Sequence, residues 1–177
     1  SNADNMGMLA TTFNSVAIHD ALETAGVPSV VMTAVPMPKI GDLFVSEKAV
    51  DAMKNGKVVI IAGGTGNPFF TTDTAVMLRA AELNVDLAVL GKSVDYVYTA
   101  DPATDPTARA IKKASYDYLI ENQLNVIDVA ASAIAKNNDI AAELFVLGEG
   151  EAIKDVILGK ETRSTHISND DEIIFLN

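Results

Sequence analysis

The residues from Val58 to Asp73 read VVIIAGGTGNPFFTTD, and they predict the fold around them. Val58 to Ala62 is a short apolar run rich in β-branched residues, which is typical of a buried strand. Gly63, Gly64 and Gly66 then interrupt the run, and glycines allow backbone conformations that bring a ligand close. A helix-forming stretch follows from residue 74. A strand, a glycine loop and a helix in this order create a helix N-terminus at which an anion can bind.

The glycines alone do not decide the function of this loop. An ordinary connection between a strand and a helix is an equal alternative, because the loop is neither a Walker loop nor a GxGxxG fingerprint. The longer string GTGNPFFTTD, residues 64–73, is more specific. It resembles the nucleoside-monophosphate loop of bacterial uridylate (UMP) kinases, which belong to the amino-acid kinase superfamily.

The resemblance implies roles for the residues of this string. It implies that Asp73 lies beside the transferring phosphate as the catalytic residue, where it orients lysines or Mg²⁺ and does not act as a base. It also implies a set of residues that bind UMP: Thr65, Gly66, Asn67, Pro68, Phe69, Phe70, Thr71 and Thr72.

A second string lies near the beginning of the chain. Residues 4–11, DNMGMLAT, are similar to the uridylate kinase pattern D-x-M-G-M-L-A-T. The resemblance implies that Asp4 binds the sugar of UMP, and a carboxylate can accept hydrogen bonds from both vicinal hydroxyls. The alternative is that Asp4 simply caps the helix that begins here. That helix is expected to end at Gly26, with an apolar face that packs mostly in the core: Met8, Leu9, Thr12, Phe13, Val16 and Ala17.

A third segment, residues 91–102, resembles the ATP loop of the same family. The resemblance implies that Tyr98 packs against adenine, that Asp101 contacts the nucleotide, and that Lys92 and Ser93 lie near its phosphates. Two departures weaken the match: Tyr96 stands where the family has glycine, and the segment before it is one residue shorter. If this position requires a positive φ, as glycine readily provides, a bulky residue such as Tyr96 adopts it only at a cost of about 1 kcal/mol or more. The alternative is that Tyr96 and Tyr98 are aromatic residues at the edge of a strand.

Composition excludes several other classes of function. The chain has 177 residues and a formal charge of −11, which opposes nonspecific binding to nucleic acid or an anionic membrane. It has no cysteine, and its two histidines, His19 and His166, form no local metal motif. No apolar segment reaches the roughly 20 residues that a transmembrane helix needs. We therefore expect a cytoplasmic protein with no partner among nucleic acids or membranes.

The remaining pattern alternates strands and helices, which predicts an α/β fold. The resemblance specifies this fold as a three-layer αβα sandwich with a mostly parallel central sheet, the amino-acid kinase fold. Ser1–Ala3 resembles the remnant of an expression tag, although Ala3 and Asp4 suit the family equally, and residues 4–177 are expected to form a single domain. Strands are expected at 29–34, 85–90, 141–147 and 164–168, helices at 47–55, 116–122, 129–137 and 151–158, and a solvated acidic tail from residue 169.

The family strings K-x-S-G-E and G-G-G-N, which precede the second string in uridylate kinases, do not occur here. They supply the charge that stabilises the transferring phosphoryl group. We therefore expect a fragment of a uridylate kinase that lacks the N-terminal part. The intact enzyme would use MgATP to convert UMP to UDP, and the family is a homo-oligomer, a hexamer whose dimer contact uses the helix from Met6 to Ala25. The alternatives are a catalytically inactive nucleotide-binding or assembly module, and another kinase of the superfamily that acts on aspartate, acetylglutamate or carbamate.

Overall fold

The computed structural model describes residues 2–148 and 151–176. The chain divides into two compact units, Ser1–Ala75 and Val76–Asn177. Ser1, the first residue of the predicted tag remnant, lies outside the described residues. The single domain of residues 4–177 stays a prediction, and each unit is described here by itself.

The first unit contains a small parallel sheet and the helices around it. Its elements are α1 (Asn2–Thr24), β1 (Ser29–Thr33), β2 (Asp42–Leu43), α2 (Ser46–Lys54) and β3 (Val58–Ala62), followed by the start of α3 (Thr72–Leu83). The strand order is β2-β1-β3, and β1 pairs in parallel with both neighbours. Val31, Met32 and Ala62 are buried in the strands. The carboxyl end of β3 leads directly into the glycine loop.

The prediction that the apolar face of α1 packs in the core is wrong. The buried residues of α1 are Thr12 and Ser15. Leu9, Phe13 and Val16 are exposed by 58 %, 76 % and 43 %. Small hydroxyl side chains allow the helix to approach the sheet closely, and the large apolar side chains are left on the outer surface.

The second unit contains a larger mixed sheet. Its elements after α3 are β4 (Ala88–Lys92), β5 (Val97–Tyr98), β6 (Ala110–Ser115), α4 (Tyr116–Glu121), α5 (Val129–Asn137), β7 (Ala142–Val146), α6 (Ala152–Ile157), β8 (Ser164–Ser168) and β9 (Ile174–Phe175). The strand order is β4-β7-β8-β6-β5, with β9 also paired to β6. Ile111, Leu144 and Ile167 are fully buried, and Met77 of α3 belongs to the same hydrophobic cluster.

The α/β class predicted from the sequence is confirmed. Parallel pairs join β1 to both β2 and β3, β4 to β7, and β6 to β8, while three further pairs are antiparallel. β3 pairs with β1, and β4 pairs with β7. Their partners lie far away in sequence, so local pattern could not identify them.

Smaller predictions were also corrected. The helix expected at 47–55 begins one residue earlier, at Ser46, and Val45 is its N-cap. The acidic tail is exposed, as expected, and its Asp170 and Glu172 both form ion pairs with Lys113, at 2.6 and 2.9 Å. The strand expected at 85–90 begins at Ala88.

Candidate functional site

The two strings recognised in the first unit line one cleft of about 260 Å³. The first turns of α1 form one wall, the loop after β3 forms another, and the beginning of α3 closes one end. The described residues that line it are Ala3, Asp4, Gly7, Met8, Thr11, Gly63, Gly64, Thr65, Asn67, Phe70, Thr71 and Thr72. Segments more than fifty residues apart in sequence therefore share this cleft.

The wall formed by α1 follows from helical spacing. Asp4, Gly7, Met8 and Thr11 are separated by three or four residues, which places them on one face of the helix. Asp4 lies within the first turn of α1, which begins at Asn2. Its carboxylate therefore belongs to the first turn of the helix, where a negative charge is favoured by the helix dipole.

The glycine loop has a backbone that only glycine adopts readily. Gly63, Gly64 and Gly66 have φ values of +83°, +59° and +79°. A Cβ atom on Gly66 would lie 3.0 Å from the carbonyl oxygen of Ala34, at the end of β1. Both the conformation and the close approach to Ala34 require glycine at position 66.

Hydrogen bonds hold the loop in this shape. The N–H of Gly66 donates to the carbonyl of Gly63 at 3.0 Å, which closes a tight turn. The hydroxyl of Thr65 accepts from the N–H of Asn67 at 3.1 Å. On the side of α1, the N–H of Gly63 donates to Oγ1 of Thr11 at 3.0 Å. The loop is thus bonded both internally and to the helix that carries Asp4.

The beginning of α3 closes the cleft. The hydroxyl of Thr71 accepts a hydrogen bond from the N–H of Thr74 at 3.3 Å, as an N-cap side chain does. Thr71 and Thr72 line the cleft, so the positive end of the helix dipole lies beside it. Asp73 is in the first turn of α3, next to Thr72 in sequence but not among the lining residues. Its catalytic role stays a prediction.

Most of the residues predicted to bind UMP are brought together. Asp4, Thr65, Asn67, Phe70, Thr71 and Thr72 line the cleft, whereas Gly66, Pro68 and Phe69 do not. Phe69 has a φ of +70° and is 86 % exposed. The predicted UMP-binding set did not include the lining residues Ala3, Gly7, Met8, Thr11, Gly63 and Gly64. The helical spacing from Asp4 could have identified Gly7, Met8 and Thr11.

The charge of the cleft is informative about its chemistry. Among the described residues that line it, Asp4 is the one charged side chain and none is lysine or arginine. A phosphate in the cleft could interact with the N-terminus of α3 and with backbone N–H groups. Cations for a reacting phosphoryl group have to come from other residues or from bound metal ions.

In the second unit, the residues predicted to bind ATP lie around one loop. Lys92 is the last residue of β4, Tyr98 is the last residue of β5, and Ser93 lies in the loop that connects the two strands. In the sheet, β4 and β5 are at opposite ends of the strand order. Asp101 follows in a turn, where its carboxylate accepts from the N–H of Ala103 at 2.9 Å. These ATP contacts stay predictions.

A network around Asp95 fixes this loop. Its carboxylate accepts hydrogen bonds from the hydroxyl of Tyr98 at 2.9 Å and from the N–H of Tyr96 at 3.0 Å, and it forms an ion pair with Arg163. Tyr96 is buried, and its ring packs edge-to-face on Tyr98 with centroids 6.4 Å apart. Its φ is not positive, so tyrosine in place of the family's glycine causes no backbone strain at this position.

Comparison with known proteins gives a consistent result. The model of the amino acid kinase family matches residues 1–145. The uridylate kinase of Bacteroides thetaiotaomicron is 45 % identical over 158 residues, which are 89 % of this chain and 67 % of that protein. The uridylate kinase of Brucella melitensis is 45 % identical over 157 residues, 89 % of this chain and 65 % of that protein. The chain thus spans about two thirds of the length of these relatives.

Solved structures show the same similarity. The UMP kinase of Ureaplasma parvum superposes with a TM-score of 0.89 at 34 % identity, covering 94 % of this chain and 71 % of that one. The UMP kinase of Bacillus anthracis gives a TM-score of 0.93 at 31 % identity, covering 99 % of this chain and 72 % of that one. The expected fold is confirmed by these superpositions.

Proposed function

Because the chain belongs to the amino acid kinase family and, within it, to the uridylate kinases, we propose that it is part of an enzyme that phosphorylates UMP. The enzyme transfers the γ-phosphate of ATP to UMP and releases UDP and ADP, a step of pyrimidine nucleotide biosynthesis. The observation that carries the proposal is the single cleft lined by Asp4 and by residues of the loop from Thr65 to Thr72.

The proposed contacts with UMP follow from the chemistry of the cleft walls. Asp4 is positioned to accept hydrogen bonds from the two ribose hydroxyls, since a carboxylate offers several acceptor sites. The phosphate then faces Thr71 and Thr72 at the N-terminus of α3, where the helix dipole favours an anion. Asp73, one residue further along, is proposed to orient a lysine or a metal ion near the transferred phosphoryl group.

ATP and Mg²⁺ are proposed as the second substrate and its cofactor. We assign the nucleotide contacts to Lys92, Ser93, Tyr98 and Asp101 of the second unit. Among the described residues, no group of three or more His, Asp or Glu could hold a metal ion. Mg²⁺ commonly binds through one or two carboxylates and the substrate phosphates, so we propose that it enters with ATP.

The proposal is tested by the substrate preference of the complete gene product. Release of ADP is measured with a panel of nucleoside monophosphates and with the acids that other members of the superfamily phosphorylate. We expect turnover with UMP and much lower turnover with the others. Preference for aspartate, acetylglutamate or carbamate would reject the assignment.

The activity of the 177-residue chain itself is a separate question. The alternative is that this chain binds nucleotide or takes part in assembly without catalysing the reaction. The described residues that line the cleft include no lysine or arginine, and phosphoryl transfer depends on positive charge around the transferred group, so the activity of this chain needs its own measurement. Turnover by the purified 177-residue chain would exclude it.

We also propose that the protein is a homo-oligomer in contact through α1, with the family hexamer as the expected state. Met6, Leu9, Phe13 and Val16 form an exposed stripe at helical spacing, and exposed apolar patches commonly mark protein–protein interfaces. Sedimentation of Phe13→Asp is expected to show a smaller species than the unchanged chain. Ile40→Asp, at another exposed apolar position, is the control; an unchanged mass for Phe13→Asp would contradict the proposed contact.

The proposed location is the cytoplasm, where ATP and UMP are available. Within residues 2–148 and 151–176, no helix has the length and apolar character required to span a bilayer.

A further inference from the structure

Thr11 occupies a particular place in the cleft. It lies seven residues after Asp4 in α1, so both side chains are on the face of the helix that lines the cleft. Its hydroxyl accepts a hydrogen bond from the glycine loop, from the N–H of Gly63 at 3.0 Å. Thr11 therefore connects the two segments on which the proposed UMP site depends.

The hydroxyl of Thr11 is held in one orientation. It donates its proton to the carbonyl of Met8 at 2.8 Å and accepts from the N–H of Gly63 at 3.0 Å. A hydroxyl has one proton and two lone pairs, and the bond to Met8 uses the proton. A lone pair is therefore directed at Gly63, and the backbone of α1 fixes the position of the loop.

The loop depends on this bond because its own backbone is adaptable. Gly63 and Gly64 have no side chain to pack, and glycine has the largest conformational freedom of all residues. Next to it, the N–H of Ala34 donates to the carbonyl of Ala62 at 2.8 Å. Hydrogen bonds to Thr11 and Ala34 thus hold Gly63 and the preceding residue, and the tight turn to Gly66 starts from this point.

Thr12 provides an internal comparison. Its hydroxyl donates to the same carbonyl of Met8, at 2.9 Å, and its side chain is buried. Thr12 does not line the cleft. The two neighbouring threonines therefore make the same bond within the helix, and they differ in the contact with the glycine loop.

We propose that Thr11 is a positioning residue for the mononucleotide: its hydroxyl sets the distance between the glycine loop and Asp4, and thereby the affinity for UMP. This inference rests on the proposed function of the cleft. It does not require Thr11 to touch the nucleotide. It predicts that loss of the hydroxyl weakens UMP binding while α1 and the rest of the fold stay intact.

The experiment compares three variants of the 177-residue chain: Thr11→Val, Thr11→Ser and Thr12→Val. Affinity for UMP is measured by calorimetry, and exchange of the Gly63 amide proton is measured by NMR. Thr11→Val is expected to bind UMP about fivefold to tenfold more weakly, as for the loss of one hydrogen bond, and its Gly63 proton is expected to exchange faster. Thr11→Ser retains the hydroxyl, so its UMP affinity and its Gly63 exchange rate should match those of the unchanged chain. Thr12→Val should change neither the affinity nor the exchange rate.

Each other outcome overturns the inference in a recognisable way. Equal UMP affinity for Thr11→Val and the unchanged chain rejects the role of Thr11 and leaves the proposed function standing. Equal weakening in all three variants shows a general effect on the helix and also rejects it. Absence of UMP binding by the unchanged chain, with the Gly63 proton protected, rejects the proposed function of this cleft together with the inference.

Discussion

The phenolic oxygen of Tyr98 lies 2.9 Å from Oδ1 of Asp95, three residues earlier in the chain. Burial and this bond to Asp95 raise the pKa of the Tyr98 phenol above its usual value. Burial also raises the pKa of Asp95, but the hydrogen bonds and the nearby Arg163 outweigh this effect and hold that pKa below its usual value. The pair fixes the ring that is proposed to contact adenine.

Replacement of Asp95 is expected to change how stability depends on pH. A carboxyl group with a lowered pKa in the folded state stabilises the fold above its unfolded pKa, and this stabilisation is lost as pH falls through the folded pKa. Asp95→Asn should therefore lower the free energy of unfolding at neutral pH and reduce its decline below about pH 4. Denaturation in urea at a series of pH values measures both effects.

The control for this prediction is Asp20→Asn, which removes the same charge from an exposed position on α1. It should leave the pH dependence close to that of the unchanged chain. A loss of stability in Asp95→Asn that is the same at every pH would contradict the argument. In Asp95→Asn the free energy of unfolding should still decline in part at low pH. The reason is that the pKa values of Asp105 and Asp170 are also lowered, chiefly by hydrogen bonds from Thr107 and Lys113 respectively.

Gly7→Ala is expected to stabilise the fold and weaken UMP binding. Gly7 is inside α1, where alanine is favoured over glycine by about 1 kcal/mol. Apart from the adjacent residues and the backbone of its own helix, a Cβ at this position meets no described atom within 4 Å. Because Gly7 lines the cleft, the added methyl group would reduce the space for a ligand there. Thermal unfolding and calorimetry with UMP measure the two effects.

The control is Ala10→Gly, the reverse change at an exposed position of the same helix, which should lower stability without changing UMP affinity. Unchanged UMP affinity in a more stable Gly7→Ala would show that the ligand does not approach this face.

Gly66→Ala is expected to lower stability and UMP affinity more than the same substitution at another glycine with positive φ. The new Cβ would lie 3.0 Å from the carbonyl oxygen of Ala34, with φ at +79°. Gly56→Ala is the matched control, because its φ is +73° and nothing lies within 4 Å of the added atom. The free energy of unfolding of the control should fall by about 1 kcal/mol through backbone strain. That of Gly66→Ala should fall further, and this variant should bind UMP poorly. Equal losses of stability and equal UMP affinities in the two variants would mean that the contact with Ala34 is unimportant.

Discrimination between UMP and 2′-deoxy-UMP tests the role of Asp4. If the carboxylate accepts from the ribose hydroxyls, the unchanged chain should prefer UMP by about tenfold, since hydrogen bonds to charged groups contribute about 1.5–3 kcal/mol. Asp4→Asn should weaken UMP binding and reduce this preference, because an amide is a weaker acceptor. Asp20→Asn again serves as the control. A preference that survives unchanged in Asp4→Asn would assign sugar recognition to another residue.

The sequence predicted the cleft better than it predicted the packing around it. The two strings at residues 4–11 and 64–73 include Asp4 and Thr72, which line one cleft, because contiguous motifs keep their local structure. The prediction that the apolar face of α1 packs in the core was wrong. Periodicity shows that Leu9 and Phe13 share a face, but it does not show which partner covers that face. The register of β6 with β8 and β9 depends on contacts distant in sequence, which no local pattern specifies.

The most direct test of the account is an NMR titration of the isotopically labelled chain with UMP. The account predicts that the backbone signals of Asp4, Gly7, Thr11 and residues 63–72 shift together, with one dissociation constant. Signals of exposed residues such as Asp20 should not move. Shifts confined to other parts of the chain, or none at millimolar UMP, would contradict the claim that this cleft binds the mononucleotide.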